Sequence, residues 1–132
     1  MDISDKLFSC ASETLKKAYA PYSHFKVGAA LYADDLQIYT GCNVENTSFP
    51  CGTCAETGAI SNMVSHGSTK ILEILVISNS DDIITPCGAC LQRIAEFADD
   101  SITVHLATSS GIKKSLLLKE LLPHCFRTEK IK

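Results

Sequence analysis

No cluster of Lys or Arg in this 132-residue chain is larger than a pair, and the pairs are Lys16-Lys17 and Lys113-Lys114. With 12 basic against 15 acidic residues and a formal charge of −3, the chain lacks the cationic face by which polyanion binders grip phosphates. No nucleic-acid partner is expected. Long apolar runs are also missing: the stretches 71–77 and 116–122 are each broken by Glu or Lys and fall far short of a bilayer span. The opening residues Met1-Asp2-Ile3-Ser4-Asp5-Lys6 carry acids and lack the basic-then-apolar layout of a secretion signal. Neither membrane insertion nor export is expected, which leaves the cytoplasm. There is no repeat, low-complexity tract or linker, so residues 1–132 are expected to form a single domain. A chain of that length can bury about two-thirds of its unfolded surface in one core. Its composition, 45% hydrophobic and 20% charged, is that of a globular protein rather than a disordered segment.

Cysteine, by contrast, is plentiful, with seven in the chain. An odd count, two C-x-x-C pairs and no secretion signal point to metal or redox chemistry in a reducing compartment rather than a disulfide framework.

The hydrophobic period predicts the elements. Over 4–19, Leu7, Ala11, Leu15 and Ala18 fall on one helical face, and Ala20-Pro21-Tyr22-Ser23 ends that helix. From Phe25 the period becomes two, with Phe25, Val27, Ala29 and Leu31 on one side of a strand. Asp34-Asp35 turns the chain and 37–42 returns, completing a β-hairpin. A polar loop, 43–53, leads to a helix opened by Cys54 and closed by His66-Gly67. Residues 71–78 are apolar on both faces, as in a central strand. A helix over 88–97, a strand around Ile102, Val104 and Leu106, an extended piece near Ile112 and a short helix before Pro123 complete the order. Helices alternating with strands after an opening hairpin predict a layered α/β domain with a mixed sheet.

The chemistry-bearing residues are Cys54-Ala55-Glu56 and Pro86-Cys87-Gly88-Ala89-Cys90. A C-x-x-C at a helix start lets two thiolates converge on one ion, and the positive end of the helix favours their deprotonated form. With Cys54 at a second helix start, three thiolates would leave one position of a tetrahedral ion open, which is the catalytic pattern for zinc. Glu56 lies two residues beyond Cys54, and a carboxylate beside an already anionic site is useful only for handling protons. Spacing alone leaves two rivals. Cys51-Gly52-Thr53-Cys54 is itself a C-x-x-C, so Cys51, Cys54, Cys87 and Cys90 could form a four-cysteine structural zinc site. A redox dithiol needs only one of the pairs.

Five motifs in order resolve the choice. They are the run from Ala20-Pro21-Tyr22-Ser23-His24-Phe25 through Lys26-Val27-Gly28-Ala29-Ala30; Gly41-Cys42-Asn43-Val44-Glu45-Asn46; Cys54-Ala55-Glu56; Pro86-Cys87-Gly88-Ala89-Cys90; and Glu120-Leu121-Leu122-Pro123 followed by Phe126. In these the chain resembles the small homotetrameric zinc-dependent cytidine deaminases, from about residue 19 to residue 126. The resemblance implies a three-layer α/β/α fold with a mixed sheet of about five strands. It also implies one zinc per subunit on Cys54, Cys87 and Cys90, with Glu56 as the proton shuttle for attack of a zinc-activated water on C4 of cytosine. The expected reaction is hydrolytic deamination of cytidine and 2′-deoxycytidine, or alternatively of a modified cytosine nucleoside or nucleoside antibiotic.

By the same resemblance Asn43 and Glu45 bind the ribose, Phe25 and Phe126 pack on the base, and Ala55 belongs to the substrate site. Read without it, Phe25 is one more residue of an apolar strand face, and Asn43 and Glu45 are solvated loop residues. A homotetramer with active sites at subunit interfaces is implied as well, with Phe49 where relatives commonly carry a Tyr that reaches a neighbouring subunit.

Three departures from the family pattern bear on the metal. Cys51 replaces an apolar residue and is expected to be a small buried hydrophobe. Thr57 and Leu91 each stand where relatives often have Arg, while Gln92 is kept. Without those guanidinium groups the zinc should be more electron-rich, with altered metal affinity or pH optimum. His105 is expected to face outward, and Cys10, Cys42 and Cys125 to be packing residues.

Overall fold

The computed structural model describes residues 2–128. The first element, α1 (Ile3–Leu15), is followed by the hairpin β1 (Val27–Ala33) and β2 (Ile38–Cys42). After a 3₁₀ turn at Phe49–Cys51 come α2 (Ala55–Ser65), β3 (Ile71–Ser78) and α3 (Gly88–Glu96). The chain ends in β4 (Ala98–Thr108), β5 (Gly111–Leu117) and the single turn α4 (Leu118–Leu121). The strands form one sheet in the order β2-β1-β3-β4-β5. Only β3 and β4 run parallel, as a pair joined through α3 must, and the other three pairings are antiparallel. This is the mixed five-stranded sheet expected.

The three layers follow from the alternation of side chains along the strands. Val27, Ala29 and Leu31 of β1, Ile74 and Val76 of β3, and Val104 and Leu106 of β4 join Ala59, Met63, Leu91 and Ile94 of α2 and α3 in the larger core. The intervening residues Ala30, Leu75, Ile77 and Ala107 meet Leu7 and Ala11 of α1 on the other face. β1 and β3 are therefore buried on both sides, which explains their nearly unbroken apolar sequence.

Two glycines set how closely the helices approach. A Cβ on Gly28 would lie 2.5 Å from the Ala11 carbonyl oxygen of α1. A Cβ on Gly41 would lie 2.3 Å from the Ala59 nitrogen and 2.4 Å from the Ala55 carbonyl oxygen of α2. Only glycine lets β2 press against the first turns of α2, and that contact positions the residues next to Cys54.

Some boundaries differ from expectation. The first helix stops at Leu15 rather than continuing to residue 19. The Tyr19 backbone is drawn into a ladder instead, its N–H donating to the Asn43 carbonyl (3.0 Å) and its carbonyl accepting from Glu45 (2.8 Å). The hairpin turns at 34–36, as Asp34-Asp35 predicts, but Leu36 takes the left-handed position (φ 65°). The piece near Ile112 is a full edge strand, and β4 begins at Ala98, where it pairs with Ile71 before a bulge.

Candidate active site

Cys54 and Cys87 are the N-cap residues of α2 and α3, and neither helix has a side-chain hydrogen bond capping it. Both have extended backbone, which turns the side chain back over the free N–H groups of the first helical turn. At Cys87 the N–H groups of Cys90 and Ala89 stabilise the thiolate, and its pKa falls below the ordinary thiol value. Cys90, one turn into α3, is fully buried, and burial together with the negative charge of Glu56 and Cys54 pushes its thiol well up. Burial also raises Cys54. Without a cation, two of the three sulfurs resist ionisation.

The three sulfurs lie within 4.8 Å of one another. A tetrahedral zinc with Zn–S bonds of about 2.3 Å holds its sulfurs about 3.8 Å apart, so this cluster fits one such ion with little adjustment. A soft, thiolate-only donor set suits zinc and not magnesium or calcium. Among the described residues no fourth His, Cys, Asp or Glu joins the group, so the protein supplies three ligands and leaves one position open. Cys51 stays outside it. Contrary to expectation Cys51 is exposed, because the 3₁₀ turn Phe49–Cys51 lies at the surface, and its Sγ contacts the Ser48 hydroxyl at 3.5 Å.

Glu56, in the first turn of α2, is only 4% exposed. Burial raises its carboxyl pKa above the ordinary value, against smaller opposing contributions from hydrogen bonding and from the Arg93 charge. A carboxyl group that holds its proton more tightly than usual, beside an open metal position, can act in turn as base and acid.

These four residues line a cavity of about 570 Å³. Of the other residues singled out in the sequence, Phe25, Asn43, Glu45, Ala55 and Phe49 also line it, joined by Tyr22, Ser23, Ile84 and Thr85. Phe25 precedes β1 instead of beginning it. The Asn43 amide clamps the entry to β1: Nδ2 donates to the Phe25 carbonyl (2.8 Å) and Oδ1 accepts from the Val27 N–H (2.9 Å). The Glu45 carboxylate accepts from the Tyr22 and Ser23 N–H groups (3.0 and 3.1 Å) and from the Ser23 hydroxyl. Those bonds, that of the Ser23 hydroxyl above all, hold its pKa below the ordinary value. Phe126 is not on the cavity wall. Its carbonyl accepts from Gln92 Nε2 (2.8 Å), and the residue is 60% exposed.

Two features escaped the sequence reading. His105 is buried, not outward-facing: Nδ1 meets the Ser115 hydroxyl (2.7 Å) and Nε2 meets a Glu73 carboxylate oxygen (2.5 Å), across three neighbouring strands. Nothing local to His105 announces this, since the partners come from β3 and β5. The second is Arg93, whose Nη1 lies 3.8 Å from the Cys90 sulfur. Its i, i+3 spacing from Cys90 on a predicted helix was a usable signal.

Comparison with known proteins agrees with this geometry. The family model for the cytidine and deoxycytidylate deaminase zinc-binding region matches residues 1–106. A cytidine deaminase of Sporosarcina psychrophila is 40% identical over 129 residues, covering 98% of this chain and 94% of that protein. A probable cytidine deaminase of Dictyostelium discoideum is 40% identical over 126 residues, covering 95% and 84%. The crystal structure of cytidine deaminase from Burkholderia pseudomallei superposes with a TM-score of 0.87 at 37% identity, covering 92% of this chain and 98% of that one.

Proposed function

We propose, from the premise that this chain belongs to the cytidine and deoxycytidylate deaminase family, that it hydrolyses the C4 amino group of cytidine and 2′-deoxycytidine. Water and nucleoside would give uridine or 2′-deoxyuridine and ammonia. The observation that carries the reading is the convergence of three thiols with one open coordination position and a buried Glu56 in a cavity of nucleoside size.

Cys54, Cys87 and Cys90 would hold one zinc ion. When bound, that ion supplies the Lewis acidity that makes a water nucleophilic near neutral pH. Glu56 would take one proton from the attacking water and deliver it to N3, then take the remaining proton of that oxygen and pass it to the departing amine, so that both water protons are accounted for. Its burial favours that cycle, because a carboxyl with a raised pKa is a stronger base when ionised and regains its proton more readily than an exposed one. Phe25 would pack on the base and Ala55 would wall the cavity beside it. Asn43 and Glu45 would receive the ribose hydroxyls, both already oriented by their backbone bonds. A carboxylate at the sugar end disfavours a phosphate there, which favours nucleosides over nucleotides.

We further infer a homotetramer with sites at subunit interfaces. On the cavity wall Phe49 is 75% and Tyr22 49% exposed, large apolar groups that a lone chain leaves in water. Phe126, exposed and off its own cavity, suits the same interface. One domain over 1–132, the cytoplasm and pyrimidine salvage complete the reading. None of the helices among the described residues is long and apolar enough to cross a membrane.

The test is ammonia release by the zinc-loaded protein from cytidine, deoxycytidine, CMP and a cytosine-containing oligonucleotide. The two nucleosides should turn over. Preference for CMP or the oligonucleotide would overturn the roles given to Asn43 and Glu45.

A further inference from the structure

Three thiolates on one zinc ion carry a net charge of −1, and Glu56 adds another when ionised. Such a site needs a nearby cation or a dense set of donors to keep its sulfurs bound and unprotonated. Yet among the described residues no Lys or Arg is on the wall of the cavity, which carries both Glu45 and Glu56. Thr57 and Leu91 offer no charge, and Leu91, 7% exposed, packs in the larger core. Arg93 lies one turn beyond Cys90 on α3 and reaches the Cys90 sulfur from behind the cavity wall, Nη1 to Sγ 3.8 Å. Among the described residues no carboxylate forms an ion pair with Arg93.

We propose that Arg93 is the positioning residue of the metal site, its guanidinium donating to the Cys90 thiolate and offsetting the excess negative charge of the three sulfurs. The proposal rests on the zinc reading above. It also revises the sequence-based expectation: the cation is relocated within α3 rather than lost. Position 93 can serve because i and i+3 side chains share a helix face, whereas position 91 points into the core.

Zinc affinity should be measured for the full-length protein by competition with a chromophoric chelator at fixed pH and ionic strength. The series is wild type, Arg93→Lys, Arg93→Gln and Arg93→Glu, with circular dichroism melts of the zinc-free forms as folding controls. Arg93→Gln should bind zinc roughly 10- to 100-fold more weakly. Arg93→Lys should fall between it and wild type, and Arg93→Glu should be weakest. Adding Thr57→Arg to Arg93→Gln should recover much of the loss. Equal affinities along the series, or equal losses regardless of charge, would overturn the proposal while leaving the zinc site intact. Wild-type protein that binds no zinc would overturn the metal reading and this proposal together.

Discussion

Replacing Gly41 by Ala tests how the fold holds the site, without substituting a residue of the cavity wall. The added methyl would lie 2.3 Å from the Ala59 nitrogen and 2.4 Å from the Ala55 carbonyl oxygen, both backbone atoms of α2. Ordinary van der Waals contact begins at 3.4 Å, so β2 and the first turns of α2 must separate by about 1 Å. β2 is tied to β1 through the pairing of Gly41 with Ala29, so α2 is the element that yields. Overpacking of this kind costs about 1–3 kcal/mol. For a chain of this length that lowers the melting temperature by roughly 4–10 °C. The same shift carries Cys54 and Glu56 away from Cys87 and Cys90. Zinc–sulfur bonds tolerate only about 0.2 Å, so zinc affinity should fall at least about tenfold. A misplacement of 1 Å can cost about 10²-fold in rate. Thermal melts with and without zinc, chelator competition and cytidine turnover read all three quantities. Gly88→Ala is the control, because a Cβ there meets nothing within 4 Å although Gly88 sits between two of the sulfurs' residues. It should leave melting temperature and affinity close to wild type. If Gly41→Ala matches Gly88→Ala in all three measurements, the close approach of β2 to α2 does not position the site.

Glu56→Gln should keep one zinc per chain by elemental analysis while kcat falls by about 10²-fold or more, the usual worth of a proton-transfer group; retained turnover would remove Glu56 from the chemistry. Glu45 has its pKa held below the ordinary 4.5, so the stability it contributes is fully present above about pH 4.5 and is lost as pH falls through its lower folded value. Glu45→Gln should therefore flatten the acid side of the stability–pH curve in urea titrations and raise KM for cytidine. His105→Leu leaves a half-buried Glu73 and an exposed Ser115 without their imidazole partner, and should cost about 0.5–1.5 kcal/mol by denaturant melts. None of those three residues lines the cavity, so kcat should be unchanged; a large loss of turnover would mean the sheet's far side controls the site.

The elements whose cause is local were legible in the sequence. Alternation marked the hairpin, helical spacing marked α1, and apolarity on both faces marked β3 as central. The helix starts at Cys54 and Cys87 followed from their neighbours, as did the approach of Cys90 to Cys87 across one turn. What needed the fold were contacts between elements distant in the chain. The end of α1 was misread because the Tyr19 backbone is claimed by residues 43 and 45. Cys51 was taken for a buried residue because composition does not reveal that the turn carrying it lies at the surface.

The metal site divides along the same line. Three cysteines and a glutamate at helix starts could be read directly, because ligand chemistry and short spacing are local properties. Whether Cys51 joined them was left open by spacing, and the tertiary structure leaves it outside the cluster. The absence of arginine at positions 57 and 91 was legible too, and alone it implied an unsupported zinc. Only the packed helix, with Leu91 turned into the core and Arg93 brought against the Cys90 sulfur, decided that a cation is there after all. A charge acts through distance in space, and sequence separation measures that distance only within a turn or two of helix.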